Sequence, residues 1–179
     1  MKPLLIFTLS LLCLGVAAPS FRAQSVEDQT VLTQAEQNQV ADAGIDADVR
    51  IGLYAKFAGD RADRIKRLAE RTERNMPRAM DKELENFTSV VDELSSNLDQ
   101  YGGRMADIRK SLKKLDSAIP KWQELVKSLP ANTTYKVSRD DASDSLSDLA
   151  DQTMQLTQQE EAYFKEHKNA KGQQWEEPK

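Results

Sequence analysis

The clearest pattern in the sequence is a set of apolar residues that recur in alternating steps of four and three after residue 80. This spacing keeps the side chains on one side of an α-helix, and it is the heptad pattern of helices that pack with a left-handed twist. We call the set the apolar seam. Its fifteen members are Met80, Leu84, Phe87, Val91, Leu94, Leu98, Tyr101, Met105, Ile108, Leu112, Leu115, Ile119, Trp122, Val126 and Leu129.

Gly102 and Gly103 interrupt the seam chemically, but they do not shift its phase. Each glycine in a helix costs about 1 kcal/mol relative to alanine. A hairpin would allow the phase to reset, so the preserved phase favours one long helix that is bent or weakened at the glycines. The alternative is that the chain turns back there, with at least one glycine at positive φ. Pro120 marks a second kink or a restart.

Shorter patterns before the seam predict two further helices. Thr33 and Glu36 fit a capping box, in which the two side chains satisfy each other's free amides, and Gly44 is a suitable end for that short helix. Asp46 can cap the next helix, which ends or kinks at Pro77. Its apolar stripe is Val49, Leu53, Phe57, Ile65, Leu68, Thr72 and Met76.

A last helix follows Pro130 and is predicted to begin at a cap around Ser138. Its stripe is Ala142, Leu146, Leu149, Thr153, Leu156, Glu160 and Tyr163. No alternating strand pattern occurs, so the sequence predicts an all-α fold. We expect an elongated antiparallel bundle of three main helices, one of them long, plus a short N-terminal helix.

The pattern also divides the chain. Residues 1–23 are predicted to be a signal peptide, 24–45 a loose segment with the short helix, 46–167 the bundle, and 168–179 a disordered tail with Trp175 as its one hydrophobe. Lys2 precedes an apolar stretch that is too short to span a membrane. Cleavage after Ala18 and cleavage after Ala23 both remain open, and we favour the second. The protein is therefore expected to be periplasmic or secreted, without a stable membrane anchor.

Composition narrows the possible chemistry. Without Lys2 and Arg22 the chain has 23 basic and 29 acidic residues, a net charge of −6, which argues against a general nucleic-acid binder. Cys13 lies in the predicted signal peptide, so the remaining chain has no thiol for a disulfide or a metal site. The single histidine, His167, is predicted to interact with the end of the last helix. We therefore predict no catalytic, cofactor-binding or metal-binding residue, and no enzyme.

Two basic runs stand against an acidic last helix. Residues 61–78 contain seven basic side chains, residues 104–114 add five more, and the segment 140–166 has eight carboxylates. The first interpretation is that the basic runs are solvated faces paired with the last helix. The second is that they bind an anionic partner or lipid headgroups. Neighbouring carboxylates such as Glu160 and Glu161 are interpreted as ordinary residues of an acidic helix.

Three stretches resemble uncharacterised secreted helical proteins of bacteria: residues 53–58 with Arg61 and Arg64, residues 91–101, and residues 107–115. This resemblance implies a helical fold and no known activity or ligand. Residues 32–36 (LTQAE) and 156–160 (LTQQE) are similar to the repeated Leu-Thr-x-x-Gln motif of the Spy and CpxP periplasmic chaperones, with Glu in place of the final Gln. That second resemblance implies a chaperone that shelters unfolded clients.

The sequence therefore leads to two functional hypotheses. The first is a protein–protein interaction or scaffold role, in which part of the long seam is left free for a partner or for self-association. The second is a chaperone-like holdase for periplasmic clients. Methionines suit a promiscuous surface because thioethers adapt to many shapes. The candidates are Met76, Met80, Met105 and Met154.

Overall fold

The computed structural model describes residues 31–71 and 74–167. The predicted signal peptide with Cys13 and its two cleavage points, the segment up to residue 30, and the predicted tail with Trp175 lie outside the described residues. No helix within the described part of the chain is long and apolar enough to cross a membrane.

The described residues form five α-helices and no β-strand, so the all-α prediction is confirmed. The helices are α1 (Gln34–Asp42), α2 (Ala47–Ala69), α3 (Met76–Gly102), α4 (Arg109–Ser128) and α5 (Lys136–Glu166). The capping box of α1 is present, since the Thr33 hydroxyl accepts from the Glu36 amide and the Glu36 carboxylate accepts from the Thr33 amide. Asp46 caps α2 through the Val49 amide at 3.0 Å.

Helices α2 to α5 surround one core, and α1 lies against the outside of α2. Around the core the order is α2, α3, α5, α4, so α2 and α5 occupy opposite corners, as do α3 and α4. Helices α2 and α3 run antiparallel, because Tyr54 bonds to Glu93 while the later Arg64 bonds to the earlier Glu83. Helices α4 and α5 are also antiparallel.

The other two neighbouring pairs run parallel. Gln152 of α5 donates to the carbonyl of Ser95 in α3 at 3.0 Å, and Ser138 of α5 donates to Asp81 of α3. Both pairs are separated by 57 residues, so these two helices run in the same direction. Helices α2 and α4 are tied by Ser111, whose amide donates to Asp48 at 2.8 Å. The chain therefore crosses the bundle diagonally between α3 and α4. The spacing of the seam does not predict this connection.

The predicted continuous helix through Gly102 and Gly103 is wrong, and the bundle has four long helices where three were predicted. Helix α3 ends at Gly102, and the amides of Met105 and Ala106 donate to the carbonyls of Gly102 and Tyr101 at 3.0 and 3.1 Å. These are the paired bonds of a Schellman motif. The seam keeps its phase across the turn because both helices face the same core.

The turn does not use its glycines in the way that the sequence predicts. The left-handed residue is Met105 (φ 51°), and neither glycine has positive φ. Gly102 is needed for space, since a Cβ there would lie 2.4 Å from Cδ2 of Leu156 in α5. Gly102 therefore reflects close packing at the end of α3, and the backbone reverses at Met105, three residues later.

Of the two alternatives at Pro120 the restart is wrong, because helix α4 runs through that proline. One further helix boundary differs from the prediction. Helix α5 begins at Lys136, so Ser138 lies inside the helix and is buried, where its hydroxyl donates to Asp81 of α3 at 2.6 Å. The serine that resembles a cap in the sequence instead links two parallel helices. Tyr135 closes the preceding loop by donating from its hydroxyl to the carbonyl of Pro130 at 2.8 Å.

The apolar seam is covered by the chain itself. Thirteen of its fifteen side chains are buried, and the other two, Tyr101 and Met105, are half-buried at the turn. The expectation that part of the seam is left free for a partner is therefore wrong, because the seam is divided between two helices that each pack against two neighbours.

Candidate interaction surfaces

Two buried carboxylates hold the ends of the bundle together, and the first of them anchors α1. Both oxygens of Glu36 accept hydrogen bonds from the guanidinium of Arg61 in α2, at 2.5 and 2.8 Å. The bond from Arg61 holds the pKa of Glu36 at about 2, well below its usual value. This bidentate pair docks the short helix on the bundle and leaves Glu36 ionised at any ordinary pH.

The second buried carboxylate is Glu160 of α5, which is 1 % exposed, whereas its neighbour Glu161 is on the surface. Its Oε2 accepts from the amide of Ile108 at 3.2 Å, and its Oε1 has no hydrogen-bond partner among the described residues. Burial, with a smaller contribution from the Asp107 carboxylate, raises the pKa of Glu160 to about 7. Sequence reasoning placed Glu160 on the buried stripe but grouped it with Glu161.

Glu160 lies where α4 begins, and that helix has no side-chain cap of its own. Asp48 of α2 accepts from the Ser111 amide at 2.8 Å, so a second amide at the start of α4 has a partner from another helix. The N-terminus of α4 is thus capped by two carboxylates from other helices. Both carboxylates are engaged with the backbone, and the arrangement holds the crossing between α3 and α4 in place.

A shallow groove of about 520 Å³ lies between the parallel helices α2 and α4. Its lining includes Trp122 and Leu125 of α4 and Gly59 of α2. A Cβ atom on Gly59 would lie 4.0 Å from Cζ2 of the Trp122 ring. Three lysines and three carboxylates share the rim, which therefore carries no net charge. The groove is open to solvent.

The predicted C-terminal position of His167 is confirmed. Its Nδ1 donates to the carbonyl of Tyr163 at 2.8 Å, and its ring stacks on the Tyr163 ring at the end of α5. Within residues 31–71 and 74–167, no group of three or more His, Cys, Asp or Glu side chains is placed to hold a metal ion.

The first basic run divides into an internal part and an external part. Arg61 pairs with Glu36 of α1, and Arg64 pairs with Glu83 of α3 at 2.7 Å. Neither contacts α5, so the predicted pairing of this run with the last helix is wrong. The external part, which we call the basic tip, surrounds the α2–α3 connection and consists of Lys66, Arg67, Arg71, Arg74 and Arg78.

All five side chains of the basic tip are exposed, and none forms an ion pair or hydrogen bond with another described residue. Glu70 is the one acidic residue described among them; Glu73 lies outside the described residues. The second basic run behaves differently, since Arg109 pairs with Asp107 and lies 4.2 Å above the ring of Phe164 in α5. The exposed lysines of this second run, Lys110, Lys113 and Lys114, also form no ion pair with a described residue, but the tip groups five such cations, four of them arginines, around one helix connection.

The negative charge is concentrated on the neighbouring pair α3 and α5. Residues 83–102 and 140–164 contain twelve carboxylates and no lysine or arginine. We call the exposed carboxylates of residues 83–102 and 140–152 that form no ion pair the acidic face, which consists of Asp92, Asp99, Asp141, Asp144, Asp148 and Asp151. The last four recur at steps of three and four and form one outward stripe on α5. Asp99 of α3 accepts a hydrogen bond from Gln152 of α5 at 2.6 Å, so the two helices that carry the acidic face are in contact at this residue.

No protein-family model matches this sequence, and no curated protein or solved structure is significantly similar to it. The function is therefore argued from the surfaces of the bundle alone.

Proposed function

We propose that this chain is an exported, non-enzymatic interaction protein, acting in the periplasm or outside the cell, that binds an anionic partner through its basic tip. The observation that carries the proposal is the set of five exposed cations at residues 66–78, which have no ionic partner among the described residues. Four of the five are arginines, whose planar guanidinium groups match carboxylate and phosphate oxygens.

The expected affinity is modest. An exposed ion pair contributes about 0.2–1 kcal/mol, so five such pairs give about 1–5 kcal/mol in total. A dissociation constant of 1 mM corresponds to about 4 kcal/mol, so contacts of this kind give weak and reversible binding unless the partner presents many charges. This fits a scaffold that associates transiently with a polyanionic surface.

The proposal replaces the seam as the site of interaction. The seam is buried within the bundle, whereas the cations at the tip are exposed and unpaired. The holdase alternative remains a prediction with less support, because Met80 is in the core and the large exposed hydrophobic side chains among the described residues are few. They are Ile45, Val49, Val137 and Met154. Suppression of the aggregation of an unfolded model client would support it.

Binding to poly-L-glutamate, measured by fluorescence anisotropy, tests the proposed function. The wild type should bind at an ionic strength of about 0.01 M, where the Debye length is about 30 Å, and should lose binding at about 1 M. The variant Arg67→Glu, Arg71→Glu, Arg74→Glu should lose at least tenfold in affinity, since three of five attractive contacts become repulsive.

A matched control reverses three other exposed cations, Lys110→Glu, Lys113→Glu and Lys114→Glu on α4. It has the same net charge as the tip variant, so it should retain most of the binding if the tip is the site. An equal loss in both variants would mean that net charge alone governs binding, and the proposal would be wrong.

A further inference from the structure

The fold separates two opposite charges that the sequence suggested would pair. The basic tip begins on α2, whereas the stripe of the acidic face lies on α5, and these helices occupy opposite corners of the bundle. Arg78 lies on α3, which packs beside α5, but no side chain of the tip forms an ion pair with a described residue of the stripe. Within the described part of the chain, neither surface has its charge compensated by an ion pair.

The two surfaces match in size and in number of charges. The stripe from Asp141 to Asp151 covers eleven residues, whose ten steps span about 15 Å at the rise of an α-helix. The tip covers the adjacent ends of α2 and α3, whose axes lie about 8–10 Å apart, and its arginine side chains extend beyond them. The tip has five cations and the stripe has four carboxylates, and Asp92 and Asp99 of the acidic face lie on the neighbouring helix α3.

From this complementarity we infer that the anionic partner of the basic tip is the acidic face of a second copy of the chain. This inference rests on the proposed function, because it names the partner of the same tip. The contact is heterologous, since the tip of one copy meets the side of the next. It leaves a free tip and a free acidic face at its two ends, and so it extends into open chains unless the geometry closes a ring.

Sedimentation equilibrium of the full mature chain, over a concentration series up to about 1 mM, tests the inference. At an ionic strength of about 0.01 M the weight-average mass should rise with concentration, and at about 1 M it should fall to that of the monomer. The tip variant (Arg67→Glu, Arg71→Glu, Arg74→Glu) should remain monomeric under both conditions. The α4 control (Lys110→Glu, Lys113→Glu, Lys114→Glu) should associate like the wild type.

A charge swap makes the test specific for the two surfaces. The face variant Asp144→Lys, Asp148→Lys, Asp151→Lys should be monomeric alone, because both of its surfaces are positive. An equal mixture of tip and face variants should associate again, because each supplies the charge that the other has reversed. All substituted residues are exposed, and circular dichroism of each variant should match the wild type.

The outcomes separate the inference from the proposed function. A wild type that stays monomeric at low salt but binds poly-L-glutamate through its tip would overturn the inference and leave the function standing. Loss of both self-association and poly-L-glutamate binding would overturn both. A monomer that sediments with anionic lipid vesicles through the same arginines would replace the second copy by a membrane surface. Association that ignores the charge swap would place the contact elsewhere and contradict the inference.

Discussion

Among the described residues two glutamates are buried, and their surroundings shift their pKa values in opposite directions. Glu36 at the α1–α2 contact meets a guanidinium that binds both of its oxygens, and its pKa is lowered to about 2. Glu160 at the start of α4 meets one amide, and its pKa is raised to about 7. The same side chain is thus a fixed negative charge in one region and a group that titrates near neutral pH in the other.

The difference lies in what faces each carboxylate. Glu36 faces Arg61, which supplies both charge and geometry. Around Glu160 the Asp48 and Asp107 carboxylates raise its pKa, and Arg109 lowers it only partly because that guanidinium is bonded to Asp107. A buried carboxylate therefore stabilises the fold where a dedicated cation is present, and it destabilises the fold in its charged form where none is.

The largest expected effect comes from removing the cation. Arg61→Ala leaves the buried Glu36 carboxylate without its cation and should lower the free energy of unfolding by about 3–5 kcal/mol at pH 7. Urea melts followed by circular dichroism measure this loss. Replacing both partners, as in Glu36→Gln with Arg61→Met, should recover most of it, because no unpaired charge remains. The half-exposed pair provides the control, and Arg64→Ala should cost less than about 1 kcal/mol. Equal losses at the two arginines would contradict the comparison.

Glu160→Gln should have the opposite sign and a slightly smaller size. At pH 8 the folded wild type holds a buried charge, and a shift from 4.5 to about 7 corresponds to about 3 kcal/mol. The variant should be more stable than the wild type by up to that amount at pH 8. Glu161→Gln on the exposed neighbour should change little. An E160Q protein that is no more stable at pH 8 would show that the carboxylate is compensated by contacts that we have not identified.

The pH dependence of the two glutamates sharpens the same comparison. For Glu160 the folded pKa is raised, so its contribution is full below pH 4.5 and is lost as pH rises through 7. For Glu36 the folded pKa is lowered, so its contribution is present above pH 4.5 and is lost as pH falls through 2. The advantage of Glu160→Gln should accordingly disappear in melts at about pH 3.5, well below the unfolded value of 4.5, where the wild-type side chain is mostly protonated in both states.

Local sequence signals predicted the fold class and many of its elements. The capping box at Thr33, the cap at Asp46 and the heptad spacing of the seam depend on residues close in sequence, and each is present. Glu160 could also be recognised from sequence as a charged residue in an apolar stripe. What could not be predicted was the environment that sets its pKa, because the burial and the Asp48 carboxylate that raise it, and the Ile108 amide that lowers it, are in place only after the chain has crossed the bundle.

The topology was missed for a related reason. The phase of the seam indicates which side of each helix packs against the core. It does not indicate whether the chain continues as one helix or reverses between two segments that both pack against that core. Gly102 was a visible signal, but its role is the close approach of Leu156, a residue more than fifty positions away. The separation of the basic tip from the acidic stripe follows from that topology. The order of charged residues along the sequence could therefore not predict this separation.

The smallest expected effect tests the turn that brings Ile108 to Glu160. Met105 adopts φ 51°, which costs an L-residue about 1–2 kcal/mol relative to glycine, because its Cβ approaches the following carbonyl. Met105→Gly removes this strain together with the side chain, and Met105→Ala removes most of the side chain but keeps the strain. The glycine variant should therefore be more stable than the alanine variant by about 1 kcal/mol, after allowing for the greater freedom of glycine in the unfolded chain. Urea melts of the two variants measure the difference directly, since the loss of the half-buried thioether is common to both. Equal stability, or a more stable alanine variant, would mean that residue 105 is not held in the left-handed conformation. The Schellman turn would then not be the feature that places the Ile108 amide against the buried carboxylate.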